Sequence, residues 1–455
     1  MFSRVLIANR GEIALRVART CRELGVESVA AYAVPDRDSA VVRFADDAVC
    51  VGPAPARHSY LNMPALVEAA LRTGAEAVHP GYGFLSENPD FAEVCRKNGL
   101  VLIGPPPPVM ERLGDKAAAR ELMAAAGLPV PPGSGGPVGD RARAAEVAGE
   151  TGFPLVVKAA AGGGGRGIRL VREPAALASA FHETRAEAGR LFGDDTVYIE
   201  RFVEPARHIE VQILADRHGN AVHLGARDCS VQRRRQKLIE EAPPASLPAG
   251  TVREMGEAAV RGALAVGYEG AGTFEFVVDD QDRYFFIEVN CRIQVEHPVT
   301  EMITGVDLVE QQLRIAAGER LVPGGAGARG VALECRVNTE DPGRDFAPTP
   351  GEITLFEPPG GPFTRVDTQG FTGCRVPAAY DPLLAKVVVW APDRPRALAR
   401  MRRALAEFRV GGPGVRTTLP FLAQVLDDPR FRAAQHRTSL VDTLLAPAPG
   451  ERTRS

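Results

Sequence analysis

No apolar run in these 455 residues approaches the length that crosses a bilayer, and no signal-peptide pattern precedes the first strand-like segment, Val5–Ala8. Neither sign of charge dominates. With 54 Lys and Arg against 57 Asp and Glu, the net charge of −3 excludes the basic field that nucleic-acid binding requires, and Arg233-Arg-Arg-Gln-Lys237 is too short to create one. Cysteine is sparse: seven residues, an odd number, none in a CxxC pair. That argues against a disulfide framework or a zinc site and for a reducing compartment. The expectation is a soluble cytoplasmic protein with no nucleic-acid or membrane partner. Two nucleotide signatures are also missing. No GxGxxG follows the first strand, so no dinucleotide site is expected, and there is no GxxxxGK[ST] phosphate loop.

What is present is globular: 45% of residues are hydrophobic and 24% charged. The length is too great for one ordinary core, and two to four domains are expected. Residues 4–104 alternate short strands with amphipathic helices. Apolar residues at 13, 14, 17, 18, 21 and 24 give the first helix, which Gly25 stops. Strands are expected at 4–8, 26–34, 77–79 and 100–104, and helices at 65–73 and 91–98. This alternation predicts a parallel sheet with helices on both faces. Pro105–Pro108 marks a boundary, 115–126 reads as a helix, and Pro129–Gly139 reads as a hinge or linker. A small α+β segment to about 202 and a larger one to about 318 follow. A second Gly-rich break covers Pro323–Gly330. Beyond it come short strands, then helices at 397–408 and 415–426, and a tail from 446 to 455.

The stretch Glu288-Val-Asn-Cys-Arg-Ile-Gln-Val-Glu-His297 carries the most chemistry. Glu288 and Asn290 end an apolar run from Tyr284 that reads as a strand, so their side chains share a face. Two oxygen ligands on one face suit a hard cation such as Mg²⁺. If the chain stays extended, Arg292, Gln294 and Glu296 follow on the same side. The preceding segment, Thr273–Val278, alternates as a strand, and Asp279–Arg283 is turn-like. Pairing Asp279 with Tyr284 sets Glu275 opposite Glu288, where two like charges repel unless a cation lies between them.

A second segment has the chemistry of phosphate binding. Pro154-Leu-Val-Val-Lys158 reads as a strand, Gly162-Gly-Gly-Gly-Arg-Gly167 as a turn, and Ile168–Val171 as a strand. Glycine lets backbone approach an anion closely, and Lys158 adds charge. An unliganded hairpin loop is the alternative reading. Lys116 and Lys237 alone read as ordinary solvated charges. His208 alone suits a structural role as well as a ligand contact.

Together these pieces resemble the biotin carboxylase family of the ATP-grasp superfamily, from about Phe2 to Leu445. The motifs that carry the resemblance are Ile7-Ala-Asn-Arg-Gly-Glu-Ile13, His79–Asn88, Lys158 with Gly162–Gly167, Arg227-Asp-Cys-Ser230, Gln232–Arg234, Gly272–Phe276, Ile287–Thr300 and Glu334-Cys-Arg336. The resemblance implies an α/β and α+β multidomain fold. Residues 1–114 would form a Rossmann-like N-terminal domain and 115–322 an ATP-grasp domain with a mobile lid at about 131–203. Residues 331–445 would form a mostly-β, rudiment-barrel-like C-terminal domain.

It also implies roles. ATP would be held by Lys116, Lys158, Gly164, Gly165, Glu200, Arg201, Phe202, Val203, His208, Gln232 and Arg235. Two Mg²⁺ or Mn²⁺ ions would sit on Glu275, Glu288 and Asn290. Bicarbonate would lie against Lys237, Arg292, Gln294 and Val295, with Glu296 as general base. Biotin, carried on a separate carrier protein, would face Arg336 with Tyr82 nearby. Bicarbonate, deprotonated by Glu296, would attack the γ-phosphate to give carboxyphosphate, whose CO₂ is captured as carboxybiotin. The partners implied are a biotin carboxyl carrier protein, carboxyltransferase subunits of an acetyl-CoA or acyl-CoA carboxylase, and a second copy of the chain. The homodimer would meet through Arg16, Arg19, Glu23 and Phe363. No Ala/Val-Met-Lys-Met attachment segment is present in the sequence. Pyruvate or urea systems are alternatives for the acceptor. Another ATP-grasp ligase would share the lysines and carboxylates but not Arg292–Glu296 or Arg336. Two positions depart from the family pattern: Arg235 where many members have His, and Cys291 where many have Thr. The Cys291 side chain is expected to point away from Asn290 and Arg292, with little effect.

Overall fold

The computed structural model describes residues 1–160, 167–321 and 327–446. Five parallel strands open the chain: β1 (Arg4–Ile7), β2 (Glu27–Ala33), β3 (Asp47–Gly52), β4 (Ala77–His79) and β5 (Val101–Leu102), in the order β3-β2-β1-β4-β5. Helix α1 (Gly11–Glu23) buries Ile13, Ala14, Val17, Ala18 and Cys21 against one face, the stripe expected from the sequence. Gly25 ends it at φ 70°, a conformation costly for other residues. The edge strand β3 and the helix Ala40–Phe44 escape the sequence reading, because both are short and partly exposed. The strand expected at 100–104 shrinks to β5.

The strands β6 (Leu155–Ala159), β7 (Ile168–Val171) and β8 (Val197–Arg201) form a separate antiparallel sheet, ordered β7-β6-β8. The helices Arg141–Thr151 and Pro174–Phe192 pack on it. The glycines expected to cradle phosphate, Gly164 and Gly165, lie outside the described residues, as do residues 323–326 of the Gly-rich break and 447–455 of the tail.

An eight-stranded sheet dominates the rest. It contains β9 (Arg207–Ala215), β10 (Ala221–Arg233), β11 (Gln236–Ala242), β12 (Gly270–Val278), β13 (Tyr284–Asn290) and β14 (Val331–Asn338), with the strands Leu383–Ala391 and Thr364–Thr368. Their order is β13-β12-β9-β10-β11-β14, then 383–391 and 364–368. Strands from beyond the Gly-rich break therefore continue the central sheet through the β11–β14 ladder. The apolar face of β9, β12 and β13 packs against the helix Ala249–Val266. Phe274, Phe276 and Phe286 are buried there, each contributing about 1.5–3 kcal/mol. The helix expected at 415–426 starts instead at Leu419, with Pro420 in its first turn, and Val415 packs in a different cluster. Among the described residues, no helix is long and apolar enough to cross a membrane.

The β12–β13 hairpin corrects one expectation and arrives at the same pairing. Asp279 bonds to Arg283, not Tyr284, and Val278 pairs with Tyr284. The loop is one residue shorter than expected because Asp282 takes a left-handed conformation, φ 60°. A bulge between Glu275 and Phe276 then restores the register, so Glu275 does face Glu288.

Candidate active site

A cavity of about 790 Å³ opens over the polar face of this sheet and is closed on other sides by α1, the β4–Phe84 turn and the loop at 379–383. Strand β9 shows how the sequence builds it. His208, Glu210 and Gln212 point to the polar face, while Ile209, Val211 and Ile213 join the core. Register then aligns a row across four strands: Arg227 opposite Glu210, Glu210 opposite Glu275, and Glu275 opposite Glu288. Three carboxylates side by side repel, so their cations matter.

Lys237, on the neighbouring strand β11, supplies one. Its ammonium lies 2.6 Å from Glu210, 3.0 Å from Glu275 and 2.6 Å from Glu296. Each carboxylate has a further cation: Arg227 on Glu210 at 2.5 Å, His208 on Glu275 at 3.0 Å and Arg336 on Glu296 at 2.8 Å. Glu288 pairs with Lys116 at 2.9 Å. Burial alone would raise the pKa of Glu275 and Glu296, but Lys237 leads the opposing attractions and holds both below the ordinary carboxylate range. Burial would likewise lower that of Lys237; the carboxylates win and raise it. Within the basic run at 233–237, Arg234, Arg235 and Gln236 are exposed as composition suggests, but Arg233 is buried and Lys237 half-buried, both in ion pairs.

The metal expectation can be tested on these donors. Asn290 donates to Glu275 at 2.8 Å, and Glu275 lies with Glu288 on one polar face. His208, Glu210 and Glu275 bring ligand atoms within 4.8 Å of one another. An oxygen-rich set next to lysines that otherwise neutralise it fits a hard divalent cation.

After Asn290 the chain does not stay extended. Residues 291–296 form an irregular loop, and the helix His297–Thr304 begins directly after Glu296, whose φ and ψ are −81° and 10°. The side chains still converge. Arg292 bonds to Gln294 at 3.1 Å and to Asn290 at 3.2 Å, and is braced by Glu87 at 2.8 Å. Arg292, Gln294 and Val295 line the cavity; Glu296, fully buried, stands beneath it between Lys237 and Arg336. Cys291 turns into the core, as expected. Arg336 is also held by Glu240 at 2.6 Å. Burial and the nearby Glu296 set Glu240 at about 7 despite that arginine. Tyr82 lines the opposite wall and donates to Glu12 at 2.5 Å.

Lys116, Lys158, His208, Gln232 and Arg235 also line the cavity. Glu200, Arg201, Phe202 and Val203 do not. Glu200 is buried between Lys158 and Arg120, and Arg201 bonds to the carbonyl of Thr151. Arg16, which the resemblance implies at a dimer contact, forms ion pairs within the chain, with Glu301 at 2.9 Å and Asp307 at 2.7 Å. Arg19 and Glu23 are exposed, as is Phe363, whose ring packs at a tilt against Trp390. Glu210, Arg227, Glu240 and Glu87 were missed as site residues. The alternation His208-x-Glu210-x-Gln212 on one strand face was the available signal for Glu210.

Three family models match the chain: "Biotin carboxylase, N-terminal domain" over residues 1–110, "Carbamoyl-phosphate synthase L chain, ATP binding domain" over 115–323 and "Biotin carboxylase C-terminal domain" over 334–443. The chain is similar to the biotin carboxylase of Nostoc sp., 49% identical over 97% of this chain and 99% of that one. It is also 49% identical to a pyruvate carboxylase subunit of Methanothermobacter thermautotrophicus, over 97% and 90% of the two chains. Among solved structures, the biotin carboxylase domain dimer of the Hydrogenobacter thermophilus 2-oxoglutarate carboxylase, in complex with MgADP, ADP and bicarbonate, superposes with a TM-score of 0.93. That match has 45% identity and covers 98% of this chain and 99% of that one.

Proposed function

This chain belongs to the biotin carboxylase family, ATP-dependent ligases, and from that premise we propose which of its residues do the work. One observation carries the reading: Glu296 is buried between two cations, Lys237 and Arg336, at the floor of a cavity whose loop above it, Arg292 to Val295, presents donors. A small anion seated there meets Lys237, Arg292 and the Gln294 amide. Glu296 is ionised at rest, in the form that accepts a proton, but Lys237 and Arg336 make it a weak base. An arriving bicarbonate draws Lys237 toward itself, and the proton affinity of Glu296 rises as that cation leaves. The base is thus switched on by its substrate.

Lys116, Lys158 and His208 bind the nucleotide phosphates, with Gln232 and Arg235 beside them. Glu275, Glu288 and Asn290 hold Mg²⁺, which neutralises charge on the phosphates when bound. Lys237 then stabilises the charge that develops between bicarbonate and phosphate. Arg336, fixed by Glu240, faces the ureido oxygen of biotin, with Tyr82 on the opposing wall. The three-stranded sheet β6–β8 is the lid that excludes water, carrying Lys158 in over the nucleotide.

The chain works with a biotinylated carrier protein and carboxyltransferase subunits, as a homodimer, in an acetyl-CoA or acyl-CoA carboxylase-type complex. The names of two relatives, one a component of a pyruvate carboxylase and the other of a 2-oxoglutarate carboxylase, mark the competing acceptors. The acceptor is chosen by the transferase, so the test uses the assembled complex. Labelled bicarbonate should be transferred to acetyl-CoA or propionyl-CoA. Transfer to pyruvate, urea or 2-oxoglutarate in their place would overturn the acyl-CoA assignment.

A further inference from the structure

Lys386, on the strand Leu383–Ala391, has no exposed side-chain surface. Cross-strand neighbours place it directly between Arg336 and Asp367. A lysine beside an arginine is unfavourable, and full burial of an ammonium costs several kcal/mol unless every donor is used. Here two donors are used, one on the Val295 carbonyl at 2.8 Å and another on Glu12 at 3.0 Å, while Asp367, 3.8 Å away, adds an opposite charge without a hydrogen bond. The Glu12 oxygen that pairs with Lys386 is the one that accepts from Tyr82.

These contacts join two walls of the cavity. The Val295 carbonyl belongs to the peptide that leads into Glu296, so fixing it fixes the direction from which the Glu296 carboxylate starts. Glu12 is on α1, across the cavity, and carries Tyr82. One ammonium therefore ties the loop 292–296 to the opposite wall. Glu296 has its own side-chain partners, Lys237 and Arg336, but both are groups that the substrate draws on. The Val295–Lys386 bond makes no such demand.

We propose that Lys386 is a positioning residue for the reaction: it holds the Val295–Glu296 peptide, and through Glu12 the Tyr82 wall, in place while Lys237 and Arg336 re-partner onto substrate. The proposal rests on the biotin carboxylase reading above. Misplacing a reacting group by about 1 Å can cost about 100-fold in rate. The ion pairs of the two nucleotide-binding lysines, Lys116–Glu288 and Lys158–Glu200, lie on other elements and do not involve Lys386.

The test is steady-state ATP hydrolysis by the full chain with bicarbonate and free biotin varied. Lys386→Met alone strands Glu12, so it is combined with Glu12→Gln to leave a neutral pair. Lys386→Arg keeps the charge, and with it the fold, but its planar fork cannot reproduce the single bond to Val295. In the double variant, the bicarbonate KM should rise or kcat fall by about tenfold or more, while the ATP KM moves less than about twofold. Lys386→Arg should show the same split at a few-fold size. Wild-type bicarbonate KM and kcat in either folded variant would overturn the proposal. So would a fall in apparent kcat that matches the lost folded fraction with every KM unchanged. A wild-type chain with no bicarbonate- and biotin-dependent hydrolysis would instead bring down the functional reading beneath it.

Discussion

Replacing Lys237 with Met removes one cation from three buried carboxylates at once. Glu210, Glu275 and Glu296 each keep one partner, namely Arg227, His208 and Arg336, so the fold should survive at a cost. Breaking a buried ion pair by removing one member costs about 3–5 kcal/mol. For a chain of this length the unfolding entropy is about 1 kcal/mol/K, so the melting temperature should fall by about 3–5 °C at neutral pH. The pH dependence carries the mechanism. In the wild type, Glu275 and Glu296 are held below the ordinary range, so their stabilisation is full above an unfolded pKa of about 4.3 and is lost as pH falls through the folded values. Without Lys237, burial and mutual repulsion push these carboxylates up, so they protonate at higher pH than in the wild type. The deficit should therefore be largest at neutral pH and narrow on acidification. Thermal melts of both proteins between about pH 5 and pH 8 decide it. An unchanged melting temperature at neutral pH, or a deficit that widens toward acid, would refute the charge-balance account.

Glu288→Gln should raise the Mg²⁺ concentration needed for half-maximal ATP hydrolysis by about tenfold or more, because a hard cation binds a carboxylate far better than an amide; a Mg²⁺ titration checks it. Arg227→Met leaves the fully buried Glu210 with Lys237 alone and removes the donor to the Gln212 amide oxygen, so about 3–5 kcal/mol of stability should be lost, read as a lower melting temperature. Cys291→Thr should leave the biotin-stimulated rate within about twofold and shift the melting temperature by only a few degrees, because residue 291 faces the core near Tyr268 and not the cavity.

Much of this site was legible in the chain, and the reason lies in local periodicity. The Glu288-x-Asn290 spacing and the alternation of 273–278 placed Glu275 against Glu288 without any tertiary information. Even there the route was wrong: the left-handed Asp282 shortens the loop by one residue, and a bulge, which no period-2 pattern announces, puts the register back. What stayed hidden is what topology assembles. Glu12, Lys386 and Val295 meet although they lie far apart along the chain, and each alone reads as a helix-start acid, a strand lysine or an apolar spacer. Arg227 and Arg336 lay in recognised motifs, yet their partners Glu210 and Glu240 are fixed only by which strands become neighbours. Arg16 has partners that helical spacing alone does not reveal. A charged residue at exposed-looking helical spacing turns inward because Glu301 and Asp307, from another element, are there to meet it.

The central claim is that this cavity couples ATP cleavage to bicarbonate and biotin through Glu296. The most direct measurement is Mg²⁺-dependent ATP hydrolysis by the purified chain, with and without bicarbonate and free biotin, in the wild type and in Glu296→Ala. The account predicts strong stimulation by biotin that requires bicarbonate and falls by about 100-fold or more in the variant. Hydrolysis that ignores biotin, or that survives the loss of Glu296 unchanged, would contradict it.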